Sequence, residues 1–121
     1  MTWPNMQLFQ PYLGLVTKLP RDSYDERDPH EGRPTVVIRV LRAERKVIVV
    51  TRTSQLQNKR AGDIYHDADP ALPCCTEPGL WQPRRFYRVP FAVYDDPELG
   101  VFAKMDEKLL ARITEAWEGL A

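Results

Sequence analysis

The sequence has little that could hold a protein together through covalent or metal bonds. Its 121 residues include two cysteines, and these are neighbours, Cys74 and Cys75. A disulfide between adjacent cysteines would distort the usual bridge geometry, so both are interpreted as reduced, inert thiols. A structural zinc site requires four spaced ligands, which two adjacent cysteines and two distant histidines do not provide. We therefore expect no metal and no cofactor.

Net charge and long apolar runs are missing as well. The chain carries 17 basic and 17 acidic residues, so attraction to nucleic acid or membrane would have to come from local clustering. No segment approaches the ~20 apolar residues of a membrane span, and the first residues lack the pattern of a signal peptide. We expect a cytoplasmic protein without membrane contact, with one domain over residues 1–121.

Prolines are abundant, and they decide the fold class. Eleven of them divide the chain and exclude long helices before Pro97. β-branched runs predict a mainly β (α+β) fold, with a hairpin as its clearest element. Its two strands are "PTVVIRVL" (34–41) and "KVIVVTRT" (46–53), joined by a polar turn. Other strands are predicted at 12–19, 62–66 and 84–94, the last with a bulge or edge position at Pro90.

Two further segments complete the expected architecture. Residues 20–32 are rich in Asp, Pro and Gly without an apolar period, which predicts a long mobile loop between the first strand and the hairpin. The end of the chain, "MDEKLLARITEAWEGLA", repeats apolar residues at helical spacing. It predicts an amphipathic helix that closes the fold, with Asp106 as N-cap and Trp117 and Leu120 in the core.

The register of the hairpin determines which side chains meet. If the turn is centred on Ala43, residues whose numbers sum to 86 lie opposite each other, which pairs Ile38 with Ile48 and Arg33 with Thr53. One face is then apolar core, and the other is a platform that becomes polar toward the open end. A four-residue turn would instead place Ser54 opposite Arg33, and a bulge would change both registers.

Two short motifs at the open end of this hairpin resemble a known family. "GRP" before "TVVIRV", and "TRTSQ" at the end of the next strand, are similar to the motifs of the MazF/PemK toxins, endoribonucleases of bacterial toxin–antitoxin systems. "ELGVFAKMDEKLLARI" resembles the end of that family's chains. The sequence departs from the family pattern at Arg52, where a small or apolar residue is commoner, and in a longer segment over 67–83.

The resemblance implies both a fold and an activity. The fold would be a small SH3-like β-barrel with a C-terminal helix, and the protein a homodimer inhibited by a disordered antitoxin segment. The activity would be sequence-selective, metal-independent cleavage of single-stranded RNA by an mRNA interferase. Arg33, Thr53, Ser54 and Gln55 occupy the places of the family's two motifs.

Metal-free RNA cleavage needs a group that stabilises charge on phosphorus and groups that transfer protons. Arg33 suits the phosphate because its guanidinium offers fixed donors and keeps its charge. Thr53 could donate a hydrogen bond to the same phosphate. Neither is a good general base, so His30 and Glu31 are the candidates for proton transfer.

RNA binding would also need cations and stacking surfaces. The stretch "WQPRRFYRVPF" interleaves arginines with aromatic residues, as in single-strand binding surfaces. The candidate RNA-binding residues are Ser54, Gln55, Lys59, Arg60, Arg84, Arg85 and Arg88, with Trp81, Phe86 and Tyr87 as stacking partners. The same stretch is also compatible with core residues and a solvated rim, because alternate strand positions face opposite ways.

Other readings of the sequence stay open. A toxin of the same barrel fold that acts on a protein target such as DNA gyrase, like the CcdB relatives, would not need Arg33 and Thr53. A non-enzymatic SH3-like interaction module could use the aromatic residues of 81–91 as its docking surface. His66 with its neighbouring aspartates could suggest a metal site, but aspartates near a proline are more typical of a turn.

Overall fold

A computed structural model describes residues 10–20, 32–96, 99 and 102–120 of the chain. Its strands are β1 (Leu15–Lys18), β2 (Pro34–Leu41), β3 (Lys46–Thr53), β4 (Ile64–His66), β5 (Gly79–Pro90) and β6 (Ala103–Lys104), followed by helix α1 (Glu107–Glu118). Short 3₁₀ helices lie at Arg42–Glu44, Leu56–Asn58 and Phe91–Asp95.

The strands form one antiparallel sheet in the order β4-β5-β3-β2-β1-β6. The sheet curls into a half-barrel, and α1 packs on one side of it. This confirms the predicted mainly β (α+β) class. The long β1–β2 connection is present, but most of it, residues 21–31, lies outside the described residues.

The predicted hairpin is confirmed as β2 and β3, but its register is not uniform. Thr35 pairs with Thr51 at the open end, where the paired numbers sum to 86, whereas Leu41 pairs with Lys46 beside the turn, where they sum to 87. A bulge between Val37 and Arg39 joins the two registers, so the predicted pairing of Ile38 with Ile48 is wrong. The four residues 42–45 connect the strands, and the bulge compensates for this turn length.

Both faces of the hairpin are core over most of its length, so the second face, predicted as a platform that becomes polar toward the open end, is a platform only at that end. Val36 and Val50 belong to a helix-side core that also contains Trp81 and Ile113. The residues on the other face contribute to an opposite core, formed by Leu15, Leu19, Val37, Val47, Val49, Val89, Phe91 and Tyr94. The curl of the sheet brings β1 and the end of β5 over this second face. The open end of the hairpin keeps a polar opening.

Strand β5 contains a second irregularity. Val50 pairs with Phe86, but the next residue, Thr51, pairs with Gln82. Residues 83–85 are therefore extra on β5 and form a bulge that begins at Pro83, which has no N–H to donate to a neighbouring strand. For Pro90 the sequence predicted a bulge or an edge position, and the structure has the edge position: among the described strands, Pro90 pairs with Lys46 of β3 alone, because β4 pairs with β5 at residues 79–81. Pro90 ends β5, and the 3₁₀ helix replaces the predicted strand beyond it.

The C-terminal helix follows the sequence pattern closely at its start. The Asp106 carboxylate accepts hydrogen bonds from the backbone N–H groups of Lys108 and Leu109, both at 3.1 Å, which confirms the predicted N-cap. Ile113 is fully buried, and Trp117 is half-buried against the helix-side core. Leu120 lies beyond the helix and is 51% exposed, so its predicted core position is wrong. Within the described ranges, no helix is long and apolar enough to cross a membrane.

Candidate functional site

Two neighbouring cavities open at the polar end of the hairpin. The first measures about 740 Å³ and the second about 260 Å³. Four residues line both: Arg33, Thr53, Gln55 and Asn58. The larger volume lies within the roughly 300–1,000 Å³ typical of ligand sites. The cavities therefore meet at the arginine and threonine that the sequence motifs single out, and together they form the candidate groove.

The register of the hairpin explains why Arg33 and Thr53 face the same opening. Thr35 pairs with Thr51, and two further residues along each strand bring Arg33 opposite Thr53. Arg33 is half-buried, and Thr53 is only 6% exposed. The hydroxyl oxygen of Thr53 accepts the backbone N–H of Gln55 at 3.1 Å. Its own hydrogen can therefore be donated toward the groove.

Positive charge concentrates along this groove although the chain is neutral overall. The second cavity is lined by Arg33, Arg60, Arg84 and Arg85, and among the described residues no carboxylate lines it, although the buried Asp63 pairs with Arg84. The first is lined by Lys18, Arg33 and Arg52, with Glu77 as its acidic residue. A local cluster of cations, which a net charge of zero does not exclude, is thus present where the two motifs meet. Such clustering favours polyanionic or phosphate-bearing ligands.

A buried carboxylate organises the second cavity. The Asp63 side chain is fully buried, and its Oδ2 atom accepts hydrogen bonds from Arg84 Nη2 at 3.3 Å, Gln82 Nε2 at 3.3 Å and the Arg60 backbone N–H at 3.0 Å. Three lining residues from two chain segments are thereby fixed to one atom. The bulge of β5 makes this possible, because it turns Arg84 away from the regular alternation of the strand.

Arg52 organises the other side of the groove. It is 4% exposed and lies in β3 between the two threonines of the open end. Its Nη2 atom donates to the backbone oxygens of Glu77 at 2.8 Å and His66 at 2.9 Å, and more weakly to that of Asp67 at 3.4 Å. Its guanidinium also lies 5.9 Å from the centroid of the Trp81 ring. Arg52 therefore ties the segment 66–77 to the sheet.

His66 has a structural position beneath this segment. Its Nδ1 atom accepts from Arg52 Nε at 3.3 Å and from Trp81 Nε1 at 3.2 Å, so Nδ1 carries no proton. Nε2 then carries the hydrogen and faces Asp69 Oδ2 at 3.1 Å. Neither ring nitrogen has a lone pair to offer a metal in this arrangement. Among the described residues, no group of three His, Cys, Asp or Glu side chains is suited to hold a metal ion.

The two cysteines are free thiols in different environments. Cys74 is half-buried and lines the first cavity, whereas Cys75 is fully buried in the helix-side core. A hydrogen bond from Cys75 lowers the pKa of Cys74 to about 7, against the opposing effect of burial, and the charges of Arg52 and Lys18 add to the lowering. The same hydrogen bond, together with burial, raises the pKa of Cys75.

Most of the predicted site residues lie on the groove. Gln55 lines both cavities, Ser54 the first, and Arg60, Arg84 and Arg85 the second. Lys59 and Arg88 line neither of the two. Arg88 pairs with Ile48 and so faces the same side of the sheet as the helix-side core. His30 and Glu31 lie outside the described residues.

The predicted aromatic stacking surface is wrong in part. Trp81 is fully buried in the helix-side core. Phe86 is 44% exposed, but it packs edge-on against Trp117 at 5.8 Å on the helix side. Tyr87 is half-buried against the opposite core. The sequence interleaves these rings with arginines, yet the strand alternation separates them from the groove.

The sequence reasoning missed several residues that shape the groove: Lys18, Arg52, Asn58, Asp63, Cys74 and Gln82. A signal existed for Arg52, because a cation between buried strand positions must find partners inside the protein. No local signal marks Asp63 or Cys74, whose roles depend on how 62–78 folds back. Comparison of the sequence with protein-family models and with curated proteins finds no match.

Proposed function

We propose that this chain is a metal-independent endoribonuclease of the MazF/PemK type, an mRNA interferase toxin of a type II toxin–antitoxin system. One observation carries the proposal: Arg33 and Thr53 line two adjoining cavities whose other cations include Arg60, Arg84 and Arg85. A single-stranded RNA crossing from one cavity to the other would pass its phosphates over this pair. The family resemblance of the two motifs adds independent support.

The proposed reaction uses the ribose 2′-hydroxyl as nucleophile against the adjacent phosphate. Arg33 stabilises the extra negative charge that develops on the phosphoryl oxygens, because its guanidinium remains protonated. Thr53 donates its hydroxyl hydrogen to the same phosphate and holds it in line. For the proton transfers to and from the ribose oxygens, the sequence offers His30 as a candidate and Glu31 as its alternative.

The positive groove also suggests how the proposed activity is restrained. An acidic, disordered antitoxin segment would complement Arg60, Arg84 and Arg85 and exclude RNA from the second cavity. A homodimer in the cytoplasm is proposed with it, with RNA bound beside the subunit boundary. These partners follow from the family resemblance and from the sign of the charge in the groove.

The two alternative functions gain no support from the site. The interaction module was expected to dock through the aromatic residues of 81–91, but Trp81 is fully buried and Phe91 is 4% exposed. A toxin that acts on a protein target does not need an arginine and a threonine placed where two cavities meet. Toxicity that survives loss of Arg33 would nevertheless favour that alternative.

RNA cleavage in the presence of a chelator tests the proposal. Purified protein is incubated with a long single-stranded RNA, with and without EDTA, and the product ends are mapped. We expect discrete cuts that EDTA does not reduce, with 2′,3′-cyclic phosphate ends because the 2′-oxygen is the nucleophile. An RNA of the same sequence held in a perfect duplex serves as the control and should remain intact. Absence of cleavage by the folded protein, or its loss with EDTA, would overturn the proposal.

A further inference from the structure

The first cavity contains a nucleophilic side chain that the proposed ribonuclease does not use. Cys74 is half-buried on its wall, within the segment 66–77 that Arg52 holds. Among the described residues, the charged groups that line the same cavity are Lys18 on β1, Arg33 before β2, Arg52 on β3 and Glu77 before β5. The charges of Arg52 and Lys18 act on this thiol, a setting that favours a thiolate.

The neighbouring cysteine prepares Cys74 for reaction. Cys75 is fully buried, and its hydrogen bonding to Cys74 is the largest cause that lowers the pKa of Cys74, which favours a thiolate there. With a pKa of about 7, a large share of Cys74 is thiolate at neutral pH. A thiol whose pKa is close to the ambient pH is also the best attacking group in thiol–disulfide exchange. Reactivity, access and charge therefore coincide at one sulfur atom.

We propose that Cys74 is a modification site for small anionic disulfides, which bind in the first cavity and leave a mixed disulfide on this residue. The Cys74 thiolate attacks one sulfur of the incoming disulfide, forming a new S–S bond while the original S–S bond breaks. The second half leaves as a thiolate and takes up a proton from water. Cys74 is oxidised to the mixed disulfide, and the leaving half is reduced.

The position of Cys75 also limits the further reaction of the mixed disulfide. Cys75 does not resolve the adduct readily, because it is fully buried and a bond between adjacent cysteines distorts disulfide geometry. The adduct therefore stays in the cavity of about 740 Å³, beside Arg33 and Thr53. A ligand in the groove and the adduct would compete for this space. The modification itself does not depend on the proposed ribonuclease activity.

The test compares two disulfide reagents of opposite charge on the wild-type protein. Oxidised glutathione is anionic at neutral pH and cystamine is cationic, and the rate of adduct formation with each is followed by intact-protein and peptide mass spectrometry. Both rates are divided by those of a free small thiol, which removes the intrinsic difference between the reagents. We expect oxidised glutathione to be favoured about tenfold or more at low salt, and less at high salt, because the cations of the cavity attract it.

Two variants and a pH series complete the design. Cys74→Ser should form no adduct, while Cys75→Ala, checked for folding by circular dichroism, should move the half-maximal rate from near pH 7 upward because the hydrogen bond is lost. Equal corrected rates for the two reagents at low salt would overturn the proposal. So would an adduct that maps to Cys75. Because the readout is the mass of the protein, neither result depends on RNA cleavage.

Discussion

The replacement of Arg52 by methionine tests how the groove is held together. Methionine keeps most of the length of the side chain but has no donors. Arg52→Met therefore removes the hydrogen bonds to the backbone oxygens of His66 and Glu77, at 2.9 and 2.8 Å, and the longer bonds to His66 Nδ1 and Asp67. The segment between His66 and Glu77 then loses its main polar attachment to β3.

The expected cost follows from the two short bonds. Hydrogen bonds to charged groups contribute about 1.5–3 kcal/mol each, which gives roughly 3–6 kcal/mol for the pair. The lower end applies here, because the segment lies near the cavity mouth and water can replace part of what is lost. We therefore expect the free energy of unfolding to fall by about 3 kcal/mol, and the midpoint of thermal unfolding by about 10 °C.

Urea denaturation followed by circular dichroism measures this loss. Limited proteolysis should in addition show earlier cleavage within 67–78 in Arg52→Met than in the wild type. The control is Arg88→Met, the same substitution at an exposed arginine of β5, which should change stability by less than about 0.5 kcal/mol. Equal stabilities for Arg52→Met and the wild type would refute the anchoring role of Arg52.

The remaining predictions concern close packing and helix capping. In Gly79→Ala, the new Cβ would lie 2.6 Å from Arg52 Nη1 and 2.7 Å from the backbone oxygen of Thr53. We expect the free energy of unfolding, measured by urea denaturation, to fall by about 1–3 kcal/mol. Unchanged stability would contradict the close approach. In Asp106→Ala, both capping hydrogen bonds are lost, which should lower the free energy of unfolding by about 1 kcal/mol. Asp106→Asn should retain most of the stability, because its side-chain oxygen can still accept. An equal loss in both variants would argue against side-chain capping.

The strands and the helix could be predicted because their signals are local. Runs of β-branched residues define β2 and β3, and the period of apolar residues defines α1, whose N-cap Asp106 is also evident from the sequence. The bulge between Val37 and Arg39 could not be predicted in the same way. Apart from the exposed Arg39, the residues around it are apolar on both faces, so either register buries them equally well, and the turn length distinguishes the two.

The site could be predicted where it depends on the hairpin alone. The four-residue turn shifts the register of the hairpin by one residue, and the bulge cancels this shift. Arg33 therefore lies opposite Thr53, and both line the groove. The contributions of Asp63 and Cys74 depend on the fold of the segment between β4 and β5, for which the sequence offers no period. The bulge that directs Arg84 into the groove does have a sequence signal, the proline that precedes it at position 83.

The rate of RNA cleavage by Arg33→Ala tests the central claim most directly. The matched control is Arg42→Ala, an exposed arginine in the turn of the same hairpin, about 25 Å along the eight-residue strand β2 from Arg33. Both variants are first compared with the wild type by circular dichroism and urea denaturation. We predict that the folded Arg33→Ala variant cleaves single-stranded RNA at least about 100-fold more slowly than the wild type, which is the effect of losing one donor to a transition-state oxyanion. Arg42→Ala should cleave at the wild-type rate. Cleavage by folded Arg33→Ala at the wild-type rate would contradict the assignment of this groove as the active site.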